Sequence, residues 1–358
     1  MKKVILSVLA MASMLCACEK PECPKCEDND SQSAETKSVM TISLDFDDNT
    51  HTKAITAYTA SQTYETQVNK VQVLVFDADG KLNVYKNVGA ATSASLSVSY
   101  GQKKVWAVVN GPDLSDISTE SVLKAKAVAL SENSTTATTG FVMAGMSSCN
   151  VSSSSVTASV SVSRLVSRIA LQKVTNSLPS VYGNITIQRV FLANVVGNQN
   201  IGGSASISTW HNKGGRKDGA TASSQIIDGT NNLAGCPALT YKAGASNAVL
   251  GTVAVGANHT PSSPYLFYSY PNSTSTDATA WNASAAKTRL VVVATISGTT
   301  YYYPVTINTP ERNKTYTVEL TIAGLGSTDP NVPVSKGSIS TSISVQGWVA
   351  GASYEETI

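Results

Sequence analysis

Charge is scarce in this chain: Asp, Glu, Lys and Arg together make up 14% of its 358 residues, against roughly a quarter in an ordinary globular protein. The net charge is only +2, and no Lys/Arg run interleaves with aromatics, so there is no electrostatic footprint for nucleic acid. Past the N-terminus, no apolar run reaches the ~18 residues that a spanning helix needs. Cysteine is almost missing from the body, since four of the six Cys precede residue 27. Cys149 and Cys236 remain as a candidate disulfide, with a separation that sequence does not give. His51, His211 and His259 stand far apart without a neighbouring ligand at metal spacing, which leaves a three-His site little support. Gly-x-Ser-x-Gly, HExxH and phosphate-loop patterns are absent, as are paired carboxylates that would mark a hydrolase. Asp45-Phe46-Asp47-Asp48-Asn49 fits the first slots of a calcium loop, but Thr50 and Thr56 occupy the positions that need Gly and a bidentate Glu. The chain therefore reads as a non-enzyme that needs no metal or cofactor.

What is present begins at the N-terminus. Lys2 and Lys3 precede the apolar stretch Val4–Leu15, which is long enough for a signal-peptide core and too short to span a bilayer. It runs into Leu15-Cys16-Ala17-Cys18, a lipobox pattern. Cys18 is the expected lipidation site, because Leu15 is too bulky for the position before a cut at Cys16. Residues 1–17 then form the signal peptide. Several acyl chains at ~0.8 kcal/mol per buried methylene would hold Cys18 stably at the outer membrane. Residues 18–37 carry Pro21, Pro24 and many acidic or amide side chains with almost nothing apolar, and read as a disordered tether. Cys23-Pro24-Lys25-Cys26 lacks the second ligand pair of a zinc site and the βαβ context of a redox pair; an exported setting favours a local disulfide or no role.

The body alternates with a period of two. In Val39–Phe46, the side chains of Met40, Ile42, Leu44 and Phe46 share one face. Val71–Phe76 is a denser apolar run that meets Asp77-Ala78-Asp79-Gly80, a hairpin turn signal. Further strands are expected at 94–100, 104–109, 141–144, 156–162, 168–174, 185–193, 265–270, 289–296, 301–307, 315–322 and 338–349. One short helix is expected after Ser118, with Leu123, Ala127 and Leu130 on one side. Short strands separated by Gly/Ser/Asn turns argue for β-sandwiches, and the length of the body argues for two. The Gly/Ala/Ser-rich stretch 198–257 reads as long surface loops. Trp106, Trp210, Trp281 and Trp348 are candidates for a sugar site, although isolated Trp in β-proteins is more often core, and Trp106 is expected there.

Several segments resemble fimbrillins, the polymerising subunits of type V pili. They are Val68–Gly80, Trp106–Gly111, Phe141–Gly145, Val162–Ile169, Glu311–Tyr316 leading into Leu320–Gly326, and Ser344–Trp348. The resemblance implies an all-β fold of two transthyretin-like β-sandwich domains in tandem, here 38–167 with the one short helix and 168–358. It also implies a lipidated precursor, a maturation protease of trypsin-like specificity that removes the first strand, and donor-strand exchange. A neighbour's C-terminal segment would fill the vacated groove, so the expected partners are other copies of the chain and related pilus subunits. A host or bacterial surface receptor is a further candidate partner, and the mature form would lie in a cell-surface fimbrium.

The residues permit this scheme. Lys53 follows a polar stretch, 47–52, and a cut there would free residues 38–53. Uncovering four apolar side chains costs on the order of 6–12 kcal/mol as an upper estimate, and an open groove with bare strand edges is a template for association. Ile339, Ile343, Val345 and Val349 share one face of 338–349, as a donor strand requires. Lys213, Arg216 and Lys217 lie in a Gly-flanked loop and compete as protease sites. The family's cut usually follows Arg, whereas Lys53 stands here, which leaves open an uncut anchor. A tip adhesin of the same pilus or a lipid-anchored glycan-binding module would share the same signal and the same β-sandwiches.

Overall fold

A computed structural model of the chain describes residues 37–46, 62–203, 207–229, 233–348 and 356–357. Cys18, His51, Lys53 and Val349 lie outside the described residues. The first half contains β1 (Lys37–Phe46), α1 (Thr63–Thr66), β2 (Val71–Asp77), β3 (Leu82–Gly89), β4 (Ser93–Ser99) and β5 (Gly101–Val109). It continues through α2 (Glu120–Ala125), β6 (Ala127–Ala129), β7 (Met143–Val151) and β8 (Ser155–Arg164). The second half opens with β9 (Ser167–Asn176), β10 (Ile185–Ala193), β11 (Val195–Val196), β12 (Asn198–Asn200) and β13 (Trp210–His211). Next come α3 (Pro237–Thr240), β14 (Tyr241–Ala243), β15 (Gly251–Val253), β16 (Asn258–His259) and β17 (Tyr265–Ser269). It closes with β18 (Arg289–Ile296), β19 (Thr299–Thr306), β20 (Lys314–Ile322), β21 (Ile339–Gly347) and β22 (Glu356–Thr357). Among the described residues no helix is long and apolar enough to cross a membrane.

The strands of the first half follow the order β3-β2-β5-β7-β8-β1-β4. The path bends where β7 meets β8 through only Met143–Arg164 and Ala144–Ser163, so β8, β1 and β4 fold back over the others. Met40, Ile42, Val73, Val75, Leu96 and Val160 fill the space between. The second half packs the sheet β14-β10-β18-β19, with β15 on β10, against β16-β9-β20-β21-β22, with β17 on β9. Fold class is thus the expected one of β-sandwiches with few short helices.

β2 shows why one strand read as a continuous apolar run. Val71, Val73 and Val75 enter the first core, while Leu74 and Phe76 point the other way into a larger core that reaches Phe141, Ile169 and Val318. A strand buried on both faces loses its alternation. Its hairpin turn closes through Gly80 N–H to the Asp77 carbonyl at 2.9 Å, with Gly80 at φ +84°, a conformation that glycine adopts without a Cβ clash.

Four details differ from expectation. The helix starts one residue later, where the Thr119 hydroxyl accepts from Val122 N–H at 3.3 Å, and it ends at Ala125 before Ala127 and Leu130 are reached. A second helix in this half, the single turn α1, has no sequence pattern long enough to announce it. The stretch 198–257 is crossed by four short strands and α3, with loops between them. The candidate disulfide is not formed: Cys149 and Cys236 are free, one on β7 against the first core and the other leading into α3 beside His211.

Candidate functional site

The first strand is inserted rather than appended. β1 runs parallel to β8, with Met40 opposite Val156, and antiparallel to β4, with Met40 opposite Leu96. Among the described residues β4 has no sheet partner except β1. Met40 and Ile42 are fully buried, whereas Leu44 and Phe46 pack half-exposed against the same core. The face expected from alternation is the face that is buried, more completely at its start than at its end.

β21, the expected donor segment, lies antiparallel on β20, with Val345 opposite Tyr316 and Ile343 opposite Val318. Its inward face is poorly covered. Ile339, Ile343 and Val345 are only half-buried, and a cavity of about 180 Å³ opens among Asn308, Tyr316, Thr341, Ile343 and Val345.

Beyond β21 the chain is held tightly. Trp348 is 1% exposed, stacked on Tyr268 with ring centroids 5.7 Å apart and edge-on to Phe141 at 6.0 Å. The guanidinium carbons of Arg164 and Arg168 lie 4.7 and 5.0 Å from its ring, within cation–π range. Arg164 also donates to the Trp348 carbonyl at 3.1 Å and to the Glu65 carbonyl at 2.8 Å. Arg168 in turn donates to the Glu65 carboxylate at 2.9 and 3.2 Å. Both members of that ion pair are buried, at 0% and 1% exposure. The remaining capacity of Glu65 is met by Tyr268 Oη at 2.6 Å and Gln62 N–H at 2.7 Å. Burial and the Glu65 charge push the Tyr268 hydroxyl well above its ordinary pKa, so it stays a proton donor.

Four of the segments that resemble fimbrillins converge here, Phe141–Gly145 through the Phe141 ring and the Ala144 carbonyl. Val162–Ile169 supplies Arg164 and Arg168. Glu311–Tyr316 supplies Thr315, which accepts from Arg168 at 3.1 Å, and Arg312, which donates to the Ala144 carbonyl at 3.0 Å. Ser344–Trp348 supplies the indole. Glu65, the anion that holds them together, was missed by sequence reasoning, because a lone Glu in a polar stretch carries no signal for a partner 103 residues away.

The four Trp divide two and two. Trp106 is in the core as expected, 7% exposed, with its indole N–H donating to Glu120 at 3.3 Å. Trp348 is buried as well. Trp210 and Trp281 are half-exposed and line one concavity. Of the candidate metal ligands, His259 approaches Tyr265 Oη at 3.4 Å. His211 bonds the Asp218 carboxylate through Nδ1 and faces Cys236 Sγ at 3.7 Å from Nε2.

The Asp218 hydrogen bond, aided by Cys236 and opposed by burial, pushes His211 from 6.5 up to about 10. The folded state therefore favours the imidazolium. Its stabilisation is complete below pH 6.5 and lost as pH rises through about 10, following the linkage between protonation and folding. An NMR titration should show the His211 ring changing charge near pH 10, with Asp218→Asn moving the transition back toward neutrality. A midpoint unchanged in that variant would mean that Asp218 does not hold the proton.

Fold and site together define a β-sandwich protein with an inserted first strand and a half-covered C-terminal strand. The sequence agrees: residues 38–176 match the family described as major fimbrial subunit protein (FimA). No curated protein matches the chain. Among solved structures, a candidate cell adhesion protein from Bacteroides eggerthii is 22% identical, with 87% of this chain and 96% of that one covered at a TM-score of 0.57. A fimbrilin (fimA) from Porphyromonas gingivalis is 14% identical, with 88% and 98% covered at a TM-score of 0.58. A candidate cell adhesion protein from Parabacteroides distasonis is 17% identical, with 89% and 99% covered, also at 0.58. At these identities the structures speak for the fold. The family match covers residues 38–176, less than half of the chain.

Proposed function

We propose that the chain is a fimbrial structural subunit, exported as a precursor lipidated at Cys18, cut after Lys53, and polymerised by donor-strand exchange. The observation that carries the reading is the position of β1 between β8 and β4, with β4 paired to nothing else among the described residues. Loss of β1 would bare one edge of each neighbour and unroof a core, a strong template for an incoming strand. With two side chains fully and two half buried, the vacancy costs on the order of 5–9 kcal/mol, somewhat less than four full burials. A neighbour's β21 would move Ile339, Ile343 and Val345 from a half-covered face into that slot, which favours exchange over return.

Cleavage is tested by trypsin on the folded precursor with mass readout. The first product should begin at Ala54. Of the competing basic residues, Arg216 is 2% exposed and forked onto Asp329 at 3.0 and 2.6 Å, which protects it; Lys213 and Lys217 are half-buried. First cuts within 213–217 would remove the maturation site. The anchor is tested separately: Cys18→Ser should abolish partitioning into detergent, and unchanged partitioning would contradict lipidation.

A further inference from the structure

Trp210 and Trp281 meet because a buried polar scaffold brings two loops together. β13 places Trp210 opposite Val196. Gly214 N–H donates to Asn194 Oδ1 at 2.8 Å, and Asn194 Nδ2 donates to Asn331 Oδ1 at 2.9 Å. Asn331 Nδ2 donates to the Ala278 and Ala280 carbonyls, both at 3.2 Å. Arg289 adds a bond to the Ala278 carbonyl at 3.2 Å and pairs with Asp277. Gly214 has φ +55°, and a Cβ there would stand 2.4 Å from the Trp281 Cα. Only glycine allows that approach. Buried networks of this kind, here bonded throughout except at Arg289 Nε, rigidify what they hold, and a rigid constellation at a loop pair is the usual setting of a binding site.

The loops enclose a cavity of about 230 Å³ lined by Trp210, Trp281, Lys213, Lys217, Asp218 and Asn282, among others. That is below the roughly 300–1,000 Å³ that encloses a drug-sized ligand, so it fits one ring-sized unit. Two half-exposed indoles offer flat apolar faces with negative quadrupoles, suited to the polarised C–H face of a sugar ring. Lys213 and Lys217 make no ion pair among the described residues, which leaves both ammonium groups for an anion. Asp218 is already engaged by His211 and by Asn212 N–H at 2.8 Å, so its charge is answered within the protein. Asn282 is exposed at the rim and supplies an amide for hydroxyl groups.

We propose that this cavity binds a carboxylated sugar unit, a uronic or sialic acid, with the ring on the indoles and the carboxylate on Lys213 and Lys217. The site lies outside the strand-exchange elements and stands whether or not the chain polymerises.

The test uses the folded full-length precursor, titrated with sialyllactose against lactose and with glucuronate-terminated oligosaccharides against their glucose counterparts. Tryptophan emission is the readout, because Trp106 and Trp348 are buried and contribute a constant background. Carboxylated probes should bind at least about tenfold more tightly than neutral ones, a preference that fades as salt screens the lysines. Lys213→Gln with Lys217→Gln should erase the preference while weak neutral binding remains. Trp281→Ala and Trp210→Ala should each lose about tenfold or more with an unchanged circular dichroism spectrum, and Trp281→Phe should keep part of the affinity. Equal binding of charged and neutral sugars, wild-type affinity in the Trp variants, tighter binding of uridine monophosphate than of any sugar, or no saturable binding by any probe would each overturn the proposal.

Discussion

Glu65→Ala is expected to destabilise the folded chain by about 3–5 kcal/mol, the range for removing one partner of a buried ion pair. The reason lies in what stays behind. Arg168, 1% exposed, would keep its charge beside the Thr315 hydroxyl and the face of Trp348 without a carboxylate to answer it. Tyr268 and the α1 backbone would lose their shared acceptor as well. Glu65→Gln keeps an acceptor of the same shape and should lose less. A double replacement, Glu65→Leu with Arg168→Met, should recover much of the loss, because the cost of breaking such a pair exceeds its net worth. Urea unfolding at constant m-value reads all three. A loss below about 1 kcal/mol in Glu65→Ala would show that the pair behaves as a solvated surface pair.

Trp348→Ala should cost a similar ~3–5 kcal/mol, with an added consequence for assembly. Trp348 fastens the chain directly after β21, yet its indole N–H has no hydrogen-bond partner among the described residues, a defect worth about 1–3 kcal/mol. The fastening is thus strong in dispersion and imperfect in polar terms. Trp348→Phe removes the orphaned donor while keeping an aromatic ring, and should be much milder. In the proposed cycle β21 must leave β20, and Trp348 must leave its pocket with it. Cleaved Trp348→Ala should therefore assemble faster than wild type despite unfolding at lower urea. Slower assembly would mean that Trp348 acts in the joint and not as a fastening.

Most strands were legible because a one-sided strand writes its burial into alternate residues, as Met40 and Ile42 do in β1. The double-faced β2 was legible by its density and its Asp-Gly turn. The stretch 198–257 was not, because polar groups hold it in place of an apolar stripe. Asn212, 0% exposed, bonds the Leu192 carbonyl and the Thr240 hydroxyl at 2.9 and 3.1 Å, and Asn and Arg in a Gly-rich context look the same in sequence whether solvated or buried. Long-range pairs were hidden for the same reason: Glu65 with Arg168, Trp210 with Trp281, and His211 with Asp218 and Cys236 become sites only through the fold. Ile339, Ile343 and Val345 share one face of β21, but their half-burial emerges only once β21 is seen on its sheet.

Strand replacement is tested most directly by assembly of the chain after cleavage at Lys53, followed by electrophoresis in mild detergent and electron microscopy. Wild type should form detergent-resistant ladders and fibres. Ile343→Asp with Val345→Asp would carry unpaired carboxylates into an apolar groove at several kcal/mol per joint, and should remain a folded, cleaved monomer. Ser340→Asp with Ser342→Asp, on the exposed face of β21, should assemble nearly as wild type does. Equal assembly of both variants, or a cleaved wild type that stays monomeric at high concentration, would contradict the account.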